Sequence, residues 1–477
     1  MMNHRNLKIA GGSLAVLVLA YAGASWYAGR LARQTIESWV AQTNQNMAAQ
    51  WAAKTPGPAL RIQSYERGLF RSDIRFLLEY RDARGAHHEL GLRDALQHGP
   101  WPWGALRAGS WRPLAAYSRV TPAPDGDWKQ WTAAMPEGTP PWVARSRIHF
   151  TGDVTTEVQF APVKTPTVDF GGGALHVGYA SKERRTQLSG HVDTLALTDP
   201  AVQATLRFSG LDLSARSRNS GESDFQSHQE IRLAGLELAA ADGQPIVLKQ
   251  QTLTLDVAQT GSLMDSQATF DVRHLLLGTQ DVGALDVATS AQNLSVPAVQ
   301  SLARTLAAID AAHEPGTELS AGERQQIRAG LLPLLAASPR IALRKLRWAN
   351  GQGTSELSAQ ADFRPVGDDA PQDLGAVVEQ GIRGLSLHAQ LSKPMLLQVL
   401  RQTQSGSDAD MAVALVSMVF DQYAGRLARA GVVRQSDKGL VQTDLAYADG
   451  QVTANGVKMT PEEFSQRLAD VAAGSLR

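Results

Sequence analysis

Cysteine is absent from the chain, and with it go disulfides, thiolate nucleophiles and cysteine-ligated zinc or iron–sulfur centres. An excess of charge is absent too, since 46 Lys and Arg balance 46 Asp and Glu. No field of one sign draws the chain to nucleic acid, and a nucleic-acid partner is excluded on that ground. The motifs with direct mechanical meaning are missing as well. There is no His-Glu-x-x-His, no Gly-x-Ser-x-Gly elbow, no P-loop and no dinucleotide glycine fingerprint after a strand. The sequence therefore assigns no catalytic, cofactor-binding or metal-ligating residue and no cofactor.

A long hydrophobic run occurs once, at the start. Ile9 to Gly29 carries no charge over 21 residues, enough for a helix to cross a hydrocarbon layer of ~30 Å. Arg5 and Lys8 precede it, and Trp26 and Tyr27 close it where an aromatic belt would sit. Ala22-Gly-Ala24 also fits a cleavage pattern, but the run exceeds the roughly 7–15 residues of a signal core. A retained anchor is the expectation, and both readings export the chain. The expected organisation is a cytoplasmic N-terminus (1–8), a transmembrane anchor (9–29), a stalk helix, first strands and a Trp/Pro-rich loop (30–145), a repetitive antiparallel region (146–297), and helices alternating with strands (298–477).

Periodicity supports that division. Ile36, Val40 and Met47 fall near a 3.6-residue repeat that stops before Pro56. Further on, Val202, Ala204, Leu206 and Phe208, then Leu253, Leu255 and Val257, alternate with polar residues, as strands with one buried face do. Helical spacing returns after Pro297 and after Lys393, and Thr460-Pro461 opens a last helix. The fold class expected is α+β: an N-terminal transmembrane helix, and a long, bent, mainly antiparallel β-sheet with a smaller set of helices packed on it.

The phrase apolar-x-Gly-Leu-x-Leu recurs at Gly210, Gly235 and Gly384. In each the apolar alternation slips at the glycine, as a bulge would make it do. Gly171 and Gly172 precede a strand-like segment, so they read as a bend and not as an anion cradle. Asp449-Gly450 suits a type I′ hairpin turn. His87 and His88 would point to opposite faces of a strand, and His191 with Asp193 supplies only two ligands, so neither pair closes a metal site. Residues 98–104, His-Gly-Pro-Trp-Pro-Trp-Gly, form a stiff loop, with Trp101 and Trp103 as ligand-contact candidates. Prolines hold the two rings apart, which favours a packed corner over an aromatic cage. Exposure of both rings would reopen the binding reading.

Several phrases occur in order over almost the whole chain: Ala24-Ser-Trp-Tyr-Ala-Gly-Arg30, Tyr65-Glu-Arg-Gly68-Leu-Phe70, His98-Gly99-Pro100, Phe170-Gly-Gly172, Leu332-Pro333, Trp348-Ala-Asn-Gly351 and Tyr447-Ala-Asp-Gly450. In these the chain resembles the YdgA-like family of bacterial proteins of unknown function. The resemblance implies a Gram-negative protein anchored in the inner membrane, with the bulk of the chain in the periplasm. It carries over no reaction. The matched residues, Gly68, Gly99 and Pro100 among them, are of the kinds that fix turns and pack cores.

The functional expectation is a non-enzymatic envelope protein, either a scaffold or a module that binds or transfers a lipid or other hydrophobic ligand. A bent sheet with one apolar face would supply the groove, a fold-level analogy to AsmA-like and TamB-like lipid carriers. The alternatives are an envelope hydrolase with a non-standard site and a self-associating interaction domain. The partners this allows are the membrane, a lipid, another envelope protein and further copies in a homo-oligomer.

Overall fold

The structure, a computed structural model, describes residues 57–473 with gaps at 82–84, 222, 241–242, 313–317, 368–370, 404–406 and 437, together with scattered positions from 33 to 47. The chain forms two compact units: residues 1–195 with 213–218, and 196–212 with 219–477. The division passes through the stretch 146–297 that the sequence presents as one repetitive block.

The first unit is an antiparallel meander. Strands β1 (Ala59–Arg67), β2 (Arg71–Arg81), β3 (His87–His98), β4 (Ala116–Pro122), β5 (Trp142–Ile148) and β6 (Val154–Phe160) pair in sequence. After the hairpin of β7 (Val163–Lys164) and β8 (Val168–Phe170), β9 (Gly173–Ala180) pairs with β6, and β10 (Arg185–Asp199) with β9. Alternation places Leu60, Ile74, Phe76, Leu96 and Ala116 in one buried cluster, with Val40 of the preceding helical segment against it. From that segment Asn44 caps the edge strand. Its amide donates to the Leu60 carbonyl and accepts from the Leu60 N–H, at 2.9 and 2.8 Å, where a further strand would otherwise pair.

The 98–116 connection is a packed corner, but other residues pack it. Helix α1 (Trp103–Arg107) starts after Pro102, and Ala105 and Leu114 are buried with Tyr117. Gly104 lies so close to the Tyr117 ring that a Cβ there would stand 2.6 Å from it. Pro102 and Ala105 fill the inner side, so the alternating Trp101 and Trp103 are turned outward, 47% and 74% exposed. The expectation that these rings pack is corrected. Helix α2 (Trp128–Ala133) occupies the connection between β4 and β5.

The second unit continues the antiparallel pattern with longer strands. They are β11 (Ala204–Asn219), β12 (Phe225–Ala239), β13 (Ile246–Thr260), β14 (Leu263–Leu277), β15 (Gln280–Ser295), β16 (Arg340–Asn350), β17 (Gly353–Phe363) and β18 (Ile382–Ser392). From β12 to β18 each pairs with the next. Helices α3 (Val296–Ala312) and α4 (Ala321–Ala336) lie between β15 and β16, and α5 (Leu374–Gly381) between β17 and β18. Helices α6 (Lys393–Thr403) and α7 (Ser407–Arg429) and the short β19 (Arg434–Gln435) then intervene before β20 (Leu440–Ala448), which pairs directly with β18. Strands β21 (Gln451–Ala454) and β22 (Val457–Met459) extend the sheet. Helix α8 (Pro461–Ala472) closes the chain behind a Thr460–Glu463 capping box.

The expected fold class requires one correction, the transmembrane helix. No helix among the described residues is long and apolar enough to cross a membrane. The longest, α7, carries Asp410, Asp421, Arg426 and Arg429, and such charges are costly in hydrocarbon. Ile9–Gly29 lies outside the described residues. The fold described is an antiparallel sheet architecture with helices in its connections.

The recurring glycines behave in different ways. At Gly384 the register between β17 and β18 shifts, as a bulge requires. At Gly235 the β12–β13 register is unchanged on either side, and the break falls on the partner strand, where Gln250 has φ +52°. Gly210 itself has φ +58°, and a Cβ there would stand 2.9 Å from the Ala234 Cβ. Both the dihedral and the space exclude a larger residue.

One buried carboxyl sets a pH dependence in the first unit. Asp94 on β3 is 7% exposed and accepts a hydrogen bond from Ser118 Oγ at 2.7 Å. Burial pushes its pKa up from 3.8 to about 6, against the lowering effect of the Ser118 bond. The folded value lies above the unfolded one, so the neutral carboxyl's contribution is whole below about pH 4 and is lost as pH rises through about 6. Asp94→Asn is therefore expected to be more stable than the parent at about pH 8, by up to roughly 3 kcal/mol, with no difference at about pH 4. Urea unfolding at both pH values checks this, and a gain of equal size at both would contradict it.

Candidate functional site

Residues directly opposite in an antiparallel pair project from the same face, as do residues two apart on one strand. Applied to the second unit, this rule collects apolar side chains into rows. One row runs Ile341, Ala361, Leu385, Tyr447, Val452 across β16, β17, β18, β20 and β21. A second, two residues further along each strand, runs Leu343, Ala359, Leu387, Leu445, Ala454. A third, Leu253, Phe270, Val287, Leu346, Leu357, Ala389, reaches back to β13. The register shift between Leu343 and Leu346 keeps both leucines on this face although their numbers differ in parity.

The first two rows, apart from the buried Ala454, form the floor of an open hollow of about 590 Å³, bounded by Phe464 of α8. Much of the floor is only half-buried, and Ile341 and Leu385 remain 47% and 41% exposed. Among the side chains of the first two rows, only the Tyr447 hydroxyl can hydrogen-bond.

The opposite face is polar. The row Asp271, Asp286, Arg347, Glu356 crosses β14 to β17. Asp286 accepts from Lys345 Nζ at 3.1 Å and Arg347 Nη1 at 3.2 Å, and Arg347 reaches Glu356 at 3.2 Å. Burial pushes the Asp286 carboxyl up, but the hydrogen bonds from Lys345 and Arg347 outweigh it and hold the group below the usual carboxylate range. Its neighbour Asp271 is raised, by burial and then by its hydrogen bond to Asp286. Two carboxylates driven apart resemble an acid–base pair. Here the two cations neutralise the cluster and tie β15 to β16.

Seven of the described histidines have a partner of their own, His88 meeting Asp127 at 2.9 Å. His98 is buried, with Nε2 3.0 Å from Ser72 Oγ, and neither residue is open to a substrate. His87 pairs with Glu89, His191 with Asp193, His228 with Asp256, His274 with Asp281 and His388 with Asp444. No two of these pairs share a residue; of the titratable groups, His149 and Asp153 do line one hollow of the first unit with Arg112 and Arg185, where the Asp153 carboxylate is taken up by the Ser181 N–H and Thr151 Oγ1.

The residues singled out from sequence take structural places. Gly68 and Gly99 hold the connections at the ends of β1 and β3, and the Pro100 carbonyl accepts from the Leu114 N–H. Gly171 packs against Thr194, and Gly172 precedes β9. Asp449 and Gly450 form the β20–β21 turn with φ +51° and +76°. None of the turn residues lies in the apolar rows. Sequence reading missed the residues that do, because a row unites positions far apart in the chain. The available signal was the Leu-x-Leu pairs at 385/387 and 341/343, read together with a register that only the structure supplies.

An antiparallel-sheet protein with one apolar and one polar face is the class these features define. The chain belongs to a family of bacterial proteins of unknown function, DUF945, whose model matches residues 6–462. It is similar to Protein YdgA of Escherichia coli K12, 25% identical over 96% of this chain and 95% of that protein. It is also similar to the uncharacterised protein YihF of the same organism, 24% identical over 96% of this chain and 98% of that one. No solved structure matches the chain.

One consequence of the polar cluster can be checked directly. In Asp286→Asn the Asp271 carboxyl loses the neighbour that helps to raise it and should titrate at lower pH, as seen by carboxyl-carbon NMR; an unmoved Asp271 titration would contradict the coupling.

Proposed function

We propose that the chain is a non-enzymatic binder of a hydrophobic ligand, and that the hydrocarbon part of a lipid lies along the apolar rows of the second unit. The observation that carries the reading is the unbroken apolar floor across β16, β17, β18, β20 and β21. Four interstrand steps give it a length of about 19 Å. The backbone beneath is already paired within the sheet, so a peptide laid on this floor would leave its own N–H and C=O groups without partners. A hydrocarbon has none to satisfy. The uncharged run at 9–29, read as an export signal, supports a place in the bacterial envelope.

Binding of N-phenylnaphthylamine, followed by its fluorescence, tests the site. Leu387→Glu places a carboxylate in the middle row and should weaken binding at least about tenfold, ~1.4 kcal/mol, whereas Leu387→Met should bind as the parent does. Equal binding by parent and Leu387→Glu, with the fold intact by circular dichroism, would remove the reading.

A further inference from the structure

Strand register brings the connections of the first unit's sheet to a common end. Arg71 pairs with Gln97, His98 with Ala116, Ala116 with Ile148, and Val154 with Tyr179. The β1–β2 turn, the 98–116 corner, the β5–β6 turn and the β9–β10 turn therefore lie side by side. Each of the first three displays large apolar side chains to solvent: Leu69 and Phe70, then Trp101, Trp103 and Trp111, then Phe150. Trp103, Trp111 and Phe150 are 74%, 77% and 64% exposed. Such a concentration of exposed rings is uncommon on a soluble surface and marks a contact site.

The charges at this end are of one dominant sign. Asp73 is held by Arg71 and Glu183 by Arg185, while Asp153 accepts from the Ser181 N–H and Thr151 Oγ1. That leaves Glu66 and the still ionised Asp153 against the exposed Arg107, Arg112, Lys182 and Arg184. A hollow of about 540 Å³ beside the rings is lined by Arg112, His149, Phe150, Tyr179 and Arg185, and by Asp153, whose carboxylate is taken up by the Ser181 N–H and Thr151 Oγ1; the donors and aromatic surface suit a phosphate ester with an apolar neighbour.

We propose that this end of the first unit is a docking surface for an anionic phospholipid bilayer. Trp101, Trp103, Trp111 and Phe150 enter the interfacial layer, and Arg112 receives a lipid phosphate. Tryptophan is suited to that depth because its ring is apolar and its N–H needs a polar neighbour. Basic side chains add attraction to an anionic leaflet. The buried Pro102, Ala105 and Leu114 hold the rings outward on a stiff corner, so little ordering is required on contact. This surface belongs to a different unit from the apolar rows, and the inference stands or falls separately from the ligand-binding reading.

The absence of cysteine provides the test. In the full chain, Trp103→Cys, Trp111→Cys and, as reference, Met411→Cys (73% exposed on α7) each give one labelling position. With vesicles containing phosphatidylglycerol, an environment-sensitive label at 103 or 111 should shift to the blue and be quenched by spin-labelled lipid, while the label at 411 should do neither. Arg112→Gln in the Trp103→Cys chain should lower the docked fraction's ratio about fivefold, the equivalent of ~1 kcal/mol per basic side chain near an anionic surface. Labels at 103 and 111 that stay as water-exposed as that at 411 would overturn the proposal, and a protein partner would become the reading of the aromatic cluster. Equal docking to neutral and anionic vesicles would overturn the assignment of Arg112 to lipid phosphate.

Discussion

The continuous antiparallel pairing from β12 to β21, bulges included, is the constraint on which the rest of the second unit depends. A slip of one residue at any of these pairings would send that strand's apolar side chains to the polar face. Ion pairs and hydrogen bonds between side chains hold it from the other side. Lys345 and Arg347 meet Asp286 across β15 and β16, and His388 meets Asp444 across β18 and β20 at 2.6 Å. Individually, exposed pairs of this kind contribute little stability, on the order of 0–1 kcal/mol. Their value lies in discriminating registers, since a slipped strand would set these charges against leucines.

Much of the architecture was legible in the sequence. Alternation of apolar and polar residues marked the strands around 204–208 and 253–257, Thr460-Pro461 marked the last helix, and the absence of long helical runs between 146 and 297 indicated an antiparallel meander. The site was less legible, for a physical reason. Ile341, Ala361, Leu385, Tyr447 and Val452 are neighbours only through pairing, and pairing is a long-range property that periodicity does not encode. Bulges conceal it further: Leu343-Arg-Lys-Leu346 has the spacing of a helix turn but is a strand with a register shift. The Trp-Pro-Trp corner misled for a related reason. Local stiffness was evident from Pro100 and Pro102, but which side chains fill the corner was decided by Leu114 and Tyr117, from beyond the loop and from β4.

The two units divide the physical work. The first buries a small core around Leu96 and Phe76 and spends its large aromatics on one end of the sheet. The second leaves much of its aliphatic surface spread along one face. Titratable groups meet in the first unit's hollow, where Arg112, His149, Asp153 and Arg185 share a wall, whereas the second unit's apolar rows carry none but the Tyr447 hydroxyl. The most perturbed carboxyl, Asp94, is enclosed in the first unit's sheet beside Ser118 and serves the fold. The family to which the chain belongs is one of unknown function, and binding is the reading proposed for these surfaces.

The most direct measurement is native mass spectrometry of the full chain purified under mild conditions, beside Leu387→Glu prepared in the same way. Lipid held only by residues outside the apolar rows would be shared by both proteins, so the difference between them isolates the rows. A lipid-sized mass retained by the parent and missing from the variant is the result this account expects. The same adducts on both, or none on either, would contradict it.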